Sequence, residues 1–244
     1  VQVRPAWSPT LTLLTIPAFN LIGLIINIAL GLFYTPYLVK TLGIMAYGIV
    51  PLALVLNQYI NVVTGSLTSS LTRFYSVAYQ KGNYGEASKY ISSSFISIAA
   101  VTIGLVPFFA LLIFRIDRVF NIPPEYIAEA KTLFLFTIVS YIMSMFSSLY
   151  NITLYSQNRL DLMNVIKICR VVFKVIFTII FFESIKKSIS FIGYANFLSE
   201  LLVIIISIYY FRLSAGKNIH IRLNLYEKSA LFAILSMTVW VLIH

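Results

Sequence analysis

The sequence predicts an all-α membrane protein, a polytopic helix bundle with six complete spans and the start of a seventh. Hydrophobic residues make up 59% of the 244-residue chain and charged residues only 11%. Soluble domains average roughly 45–50% apolar and about 25% charged residues. The mean hydropathy is +0.90, and several uncharged runs exceed the roughly 20 residues that cross a bilayer as a helix. Together these observations exclude a soluble globular domain.

Six apolar segments are separated by short polar turns. The first has Pro17 near its start, where the missing amide hydrogen costs little. The second carries small and hydroxyl residues in its later turns, which allow membrane helices to approach closely. The predicted spans are residues 16–39, 46–79, 89–114, 129–155, 163–183 and 189–211, and residues 229–244 begin a seventh.

The turns carry recognisable helix signals. KGNYGEASK, after the second span, has turn composition. Pro123 and Pro124 precede Glu125 and Glu129, which suits the first turn of a helix, where proline is tolerated and acids oppose the helix dipole. The longest polar stretch is RLSAGKNIHIRLNLYEK. It divides the chain into a six-span lobe (1–212), an interlobe connector (213–228) and a truncated second lobe (229–244).

The distribution of basic residues predicts the orientation. Of the 18 lysines and arginines, ten fall in loops or near span ends on the amino-terminal side, six in or near those on the other side, and Arg170 and Lys174 lie deep within the fifth span. Because cytoplasmic loops carry the excess of positive charge, the N-terminus and the connector are predicted to be cytoplasmic. The chain begins at Val1 and stops at His244 inside an apolar run, so we expect it to be part of a longer protein.

Composition also narrows the chemistry. The formal net charge of +10 is scattered between apolar spans, which argues against nucleic-acid binding. Cys169 stands alone, so no disulfide framework is predicted. His220 and His244 are isolated, and no metal-ligand spacing occurs. We therefore expect neither a metal nor another cofactor, and not an enzyme.

Charged residues within the fifth and sixth spans are the main candidates for a substrate site. Arg170 and Lys174 share one helical face of the fifth span, and Glu200 is the sole acid in the sixth. On antiparallel neighbouring helices, Glu200 falls at the depth between the two cations. Such residues are costly at membrane depth and usually face protein or water. One carboxylate cannot neutralise two cations, so the pattern indicates either a structural ion pair or a site for an anionic substrate.

Amide side chains within the spans form a second set of candidates. In a lumen, Asn27, Asn61 and Asn196 would hydrogen-bond a polar substrate. The alternative is that they make interhelical hydrogen bonds, each worth about 0.6 kcal/mol in a membrane.

Two stretches carry a resemblance to a known family. These are YTPYLVKTLGIMAYGIV with LTRFYSVAYQKGNYGEA, and FNIPPEYIAEAKTLFLFTIVSYIMSMFSSLYNITLYSQNRLDLMNVIKI. They resemble the polysaccharide repeat-unit (O-antigen, Wzx-type) flippases of the multidrug, oligosaccharidyl-lipid and polysaccharide exporter superfamily. The resemblance implies the N-terminal six-helix lobe of a MATE-like transporter in the bacterial plasma membrane. It also implies flipping of undecaprenyl-pyrophosphate-linked oligosaccharides for polysaccharide export, with a polysaccharide polymerase and a chain-length regulator as partners.

Two other functions remain open at the level of sequence. A drug or lipid II exporter of the same superfamily would show the same apolar pattern. A membrane-embedded polysaccharide polymerase or glycosyltransferase would be expected to carry large extramembrane loops with clustered acids, histidines or arginines. The longest polar stretch here is RLSAGKNIHIRLNLYEK, which favours a transporter.

Overall fold

Six long helices run back and forth between two ends of a bundle in the computed structural model, which describes residues 9–215, 218–229, 232 and 236. Side chains at 9–20, 27, 56, 57, 59–64, 66, 67 and 223 are outside this description. No β-strand occurs among the described residues. The predicted all-α bundle is therefore confirmed. The predicted seventh span lies almost entirely outside the described residues.

The helices begin and end close to the predicted positions. A short helix, α4, and a 3-10 turn at Pro124–Tyr126 occupy the loop between the third and fourth long helices. The helices are α1 (Pro9–Leu42), α2 (Ile44–Gln80), α3 (Tyr84–Phe114), α4 (Ile116–Phe120), α5 (Ile127–Ser156), α6 (Leu160–Ser184) and α7 (Ser190–Ala215). A second 3-10 turn at Leu223–Leu225 follows α7.

Local sequence explains the sharp turns. Gly43, between α1 and α2, and Gly82, between α2 and α3, have φ values of 83° and 74°, a region that glycine enters without steric cost. Asn83 then caps α3: its Oδ1 accepts from the backbone amide of Glu86 at 3.2 Å, and its Nδ2 donates to the Glu86 carboxylate at 2.8 Å. This cap satisfies an amide that the first helical turn leaves without a partner.

Helix α5 lies at the centre of the bundle and packs against α7, α2 and α3, while α6 packs against α7 and α1. Two apolar clusters close the bundle, one at each end. The cluster around Tyr75, Ile91 and Leu149 includes Ile219 of the segment after α7, so we call this the connector end. The cluster around Ile49, Leu133 and other residues forms at the opposite end, where α1 meets α2 and α6 meets α7.

Four segments of the described structure are long and apolar enough to cross a membrane: Leu21–Leu42, Tyr84–Phe114, Pro124–Ser156 and Ser190–Ala215. In α2 the described apolar stretch is Ile44–Val55, and most of the side chains from 56 to 67 lie outside the description. Helix α6 has 25 residues but carries Lys167, Arg170 and Lys174 along its middle. The six predicted spans thus correspond to six long helices, and α6 differs from the four apolar ones because of its charges.

Candidate functional site

A cavity of about 760 Å³ opens between α2, α5 and α6 in the connector half of the bundle. Its wall combines hydroxyl, amide and cationic side chains with a few apolar ones. The residues that line it are Gly65, Thr68, Ser69, Thr72, Arg73, Ser76, Val77, Ile98, Tyr141, Ser144, Met145, Ser148, Asn151, Ile152, Tyr155, Met163, Ile166, Lys167 and Arg170.

The charges on the cavity wall are all positive. Arg73 comes from α2, whereas Lys167 and Arg170 lie almost one turn apart on α6. No carboxylate lines the cavity, and no described acidic residue lies within ion-pairing distance of Arg73 or Lys167. Low-dielectric walls strengthen the field of such unneutralised charges. The cavity is therefore suited to an anionic ligand.

Arg170 is the cavity cation that has a protein partner. Its Nη2 donates to Oε1 of Glu200 at 3.1 Å, and its Nε lies 2.8 Å from Oε2 without the alignment of a hydrogen bond. The Arg170 side chain keeps 38% of its surface exposed, whereas that of Glu200 keeps 4%. The Glu200 carboxylate therefore binds Arg170 from the α7 side. Part of the Arg170 side chain stays accessible, and Arg170 lines the cavity. The predicted depth match between Arg170 and Glu200 agrees with this contact.

Lys174 lies one helical turn beyond Arg170, and the lining of the cavity does not include it. Its backbone carbonyl accepts a hydrogen bond from Thr178, whose hydroxyl is also 3.0 Å from the hydroxyl of Tyr34 on α1. Gly23 of α1 lies 3.9 Å from Ile168 of α6, measured from an ideal Cβ. Beyond Lys174, the polar face of α6 contacts α1 through Thr178.

Hydroxyl and amide groups form the wall opposite α6. Thr72 and Ser148 donate to backbone carbonyls of their own helices at 2.7 and 2.6 Å. In contrast, the buried Ser76 Oγ and Asn151 Oδ1 have no hydrogen-bond partner among the described residues. Buried polar atoms are normally paired, and an unpaired one costs about 1–3 kcal/mol. Both residues line the cavity, and these two atoms lie beneath its surface.

Of the three predicted amides, Asn196 is the one whose side chain the structure describes, and it does not line the cavity. The side chains of Asn27, on α1, and Asn61, on α2, lie outside the described residues. Asn196, on α7, is half-buried, and its backbone carbonyl accepts from Ser199 at 2.8 Å. Their predicted role in substrate binding stays a prediction.

In the prediction from the sequence, Arg73 counts only among the basic residues that set the orientation, and it is not a candidate for the site. A signal was nonetheless present, because Arg73 is the first charged residue in α2 after 29 uncharged positions. Its position on the helix, rather than beyond its end, distinguishes it from a loop residue. The hydroxyl residues around it were predicted to serve helix packing, and the structure also places Thr68, Ser69 and Thr72 on the cavity wall.

Comparisons with known proteins agree with this architecture. No protein-family model matches the chain. An uncharacterized membrane protein of Bacillus subtilis, EpsK, is 28% identical over 193 residues, which cover 79% of this chain and 38% of that protein. Two solved structures match over 95% of this chain with 14% identity.

Both solved structures are transporters of the MOP superfamily. One is a multidrug resistance MATE family transporter in an outward-facing conformation, with a TM-score of 0.76. The other is a MOP superfamily transporter from Pyrococcus furiosus with a binding pocket of reversed polarity, with a TM-score of 0.78. This chain spans 52% of each of them. The helix bundle described here therefore has the fold of about half of a MOP superfamily transporter.

Proposed function

We propose that this chain forms one wall of a membrane transporter that moves lipid-linked oligosaccharides, with undecaprenyl pyrophosphate as the carrier, across the bacterial plasma membrane for polysaccharide export. The observation that carries the proposal is the cationic cavity, lined by Arg73, Lys167 and Arg170 and by no described carboxylate. The transporter fold supports the same conclusion at a coarser level. The protein acts as a transporter and not as an enzyme.

Each wall of the cavity suits a different part of such a substrate. The three cations on α2 and α6 suit a pyrophosphate group, because hydrogen bonds to charged groups contribute about 1.5–3 kcal/mol each. The hydroxyl and amide residues on α2 and α5 suit sugar hydroxyls, which both donate and accept hydrogen bonds. The lipid chain remains in the bilayer while the head group crosses between the two halves by alternating access. A polysaccharide polymerase and a chain-length regulator would act on the product at the outer surface.

Export of drugs is the second candidate, because one of the structural neighbours is a multidrug resistance transporter. A cationic drug would be repelled by the positive wall, so an anionic or neutral drug is the form that this cavity accommodates. Lipid II shares the lipid pyrophosphate with the preferred substrate and differs in its sugars. The transporter would therefore distinguish these two substrates by the hydroxyl and amide wall that contacts their sugars, and not by the cations.

The test neutralises the two cavity cations that have no protein partner, so that the Arg170–Glu200 pair stays intact. Arg73→Gln with Lys167→Gln, in the full-length protein, is expected to slow the transfer of a fluorescent undecaprenyl-pyrophosphate oligosaccharide between liposome leaflets at least about tenfold. The matched control is Lys40→Gln with Arg118→Gln, which removes two exposed cations outside the cavity lining. Its transfer rate should equal that of the wild type.

Three results would contradict the proposal. One is an equal transfer rate for the cavity variant and the control, which would show that Arg73 and Lys167 do not contribute to transfer. Another is transfer of lipid II but not of the repeat-unit oligosaccharide, which would favour the second candidate. The third is efflux of a drug in parallel liposomes that carry no lipid-linked sugar, with no transfer of the oligosaccharide by the same preparation.

A further inference from the structure

The polar segment after α7 lies against the beginning of α3. Residues 218–222 alternate in exposure: Ile219 is buried and Ile221 half-buried, while Asn218, His220 and Arg222 are exposed. Ile219 belongs to the apolar cluster at the connector end, and Ile221 packs against it. Such period-two alternation is typical of an extended chain lying on a surface. We call residues 218–229 the strap.

Three buried serines on one face of α3 hold the backbone of the strap. The amide of His220 donates to Ser88 Oγ at 3.2 Å, and that of Arg222 donates to Ser92 Oγ at 3.1 Å. The amide of Glu227 donates to Ser93 Oγ, also at 3.1 Å. All three serines are at most 3% exposed. We call Ser88, Ser92 and Ser93 the serine face.

Two of these serines also donate to the strap. The hydroxyl of Ser93 donates to the carbonyl of Glu227 at 3.5 Å, so its contact with Glu227 is reciprocal. The hydroxyl of Ser92 donates to the carbonyl of His220 at 3.3 Å and accepts from the amide of Arg222, so it joins two strap residues. An ion pair of 2.7 Å between Lys89 and Glu227 fixes the end of the strap.

We infer that the serine face is a docking surface for the strap, and that residues 218–229 are a fixed part of this helical unit rather than a flexible linker. Detaching the strap would leave three backbone amides without protein partners and would expose the side chain of Ile219. Unmatched backbone groups and exposed apolar surface both oppose that change. Because the strap is attached to α3, a movement of the chain that follows residue 229 would also displace the beginning of α3.

This inference is independent of the proposed substrate, and so is its test. Amide hydrogen exchange is measured by mass spectrometry on the full-length protein in lipid nanodiscs. The amides of His220, Arg222 and Glu227 are expected to exchange at least about 100-fold more slowly than in an unstructured peptide, because exchange requires the strap to open. Ser88→Ala, Ser92→Ala and Ser93→Ala are then made singly and together.

Each single change should accelerate exchange at its own partner amide about tenfold, and the triple change should release the whole strap. Ser97→Ala is the matched control, since the Ser97 hydroxyl donates to the carbonyl of Ser93 within α3. It should leave strap exchange unchanged. Ser92→Thr retains the hydroxyl and should restore slow exchange. Exchange at the unstructured rate in the wild type, or equal exchange in the triple variant and the control, would overturn the inference.

Discussion

At the scale of single residues, Arg170 connects the framework of the bundle to the cavity. The buried carboxylate of Glu200 compensates its charge from α7, and the exposed part of its guanidinium faces the cavity. A charge within a membrane protein is tolerated when it pairs or faces water, and Arg170 does both. Lys174, one turn further along, forms no ion pair within the described part of the chain.

Arg170→Leu is expected to destabilise the protein by about 2–3 kcal/mol, because it leaves the Glu200 carboxylate buried without its partner. This is below the 3–5 kcal/mol of a fully buried pair, since the arginine is partly exposed. Arg170→Leu with Glu200→Leu should recover most of the loss, because both desolvation costs disappear. Thermal unfolding in detergent measures the effect.

The control pair is Arg159–Asp161, which is more exposed on both sides. Asp161→Asn there should change stability by less than about 1 kcal/mol. A double leucine variant as unstable as Arg170→Leu alone would contradict the ion-pair explanation. A double variant that is stable and still transports normally would show that Arg170 serves structure and not the substrate.

At the scale of elements, the contact between α5 and α7 is the closest in the bundle that involves a glycine. A Cβ atom at Gly193 would lie 3.0 Å from the Leu133 Cα and 3.2 Å from its carbonyl oxygen. Backbone atoms cannot move aside as a flexible side chain does. Gly193 therefore sets the distance between the central helix and its main neighbour.

Gly193→Ala is expected to destabilise the bundle by about 1–3 kcal/mol, because it forces α5 and α7 apart. Gly104→Ala, in α3, is the matched control, since its added Cβ would meet nothing within 4 Å. That change should be neutral or should stabilise by up to about 1 kcal/mol. Thermal unfolding of both variants measures the difference. Equal stability of the two would show that α5 and α7 can move apart without a loss of folding free energy.

The strap also gives the connector end a dependence on pH. The hydrogen bond from Lys89 is the main cause that lowers the pKa of Glu227, with a second hydrogen bond from Ser229. Glu86 and Tyr90 are the other titratable groups near this pair. Because the pKa is lower in the folded state, the stabilisation is complete above the ordinary glutamate value of 4.5 and is lost as the pH falls through the lowered pKa.

Acidification from pH 6 to pH 3 is therefore expected to weaken protection of the strap amides in the wild type. Glu227→Gln cannot titrate, so its protection should be weaker at pH 6 and should change less on acidification. Hydrogen exchange at each pH, divided by the rate in an unstructured peptide of the same sequence, makes the comparison. An identical pH response in the two proteins would exclude Glu227 as the titrating group.

At the scale of the whole molecule, the six long helices are joined by five connections, two at the connector end of the bundle and three at the opposite end. The connector end holds the turn from α2 to α3, the turn from α5 to α6 and the strap. The orientation of the bundle in the membrane stays a prediction from the basic residues. The division into a lobe at 1–212 and a connector at 213–228 also stays a prediction, although α7 continues to Ala215.

Cysteine labelling in a Cys169→Ser background tests the orientation. Glu125→Cys, between α4 and α5, should react with an impermeant maleimide added outside the cell. Lys81→Cys, between α2 and α3, should react only after the membrane is permeabilised. Both positions are exposed. The reverse pattern would invert the predicted topology and place the connector outside the cytoplasm.

The fold class, the number of long helices and most of their ends could be predicted from the sequence. Hydrophobic runs and turn residues are local properties, and Gly43, Gly82 and Asn83 act within one or two turns of their own position. The pairing of Arg170 with Glu200 was also within reach, because the depth of a residue along a helix follows from its distance to the nearest turn.

Which polar residues share a cavity could not be predicted, because it depends on how the helices pack. Arg73 lies 94 positions before Lys167 in the chain, and both line the same cavity only because α2 and α6 lie on opposite sides of it. The contacts of the strap could likewise not be predicted from the sequence, because its polar composition is that of a loop and its partners are serines on a helix far away in the chain. Helix depth can be read from a sequence, but the rotation of each helix about its axis is set by packing against its neighbours.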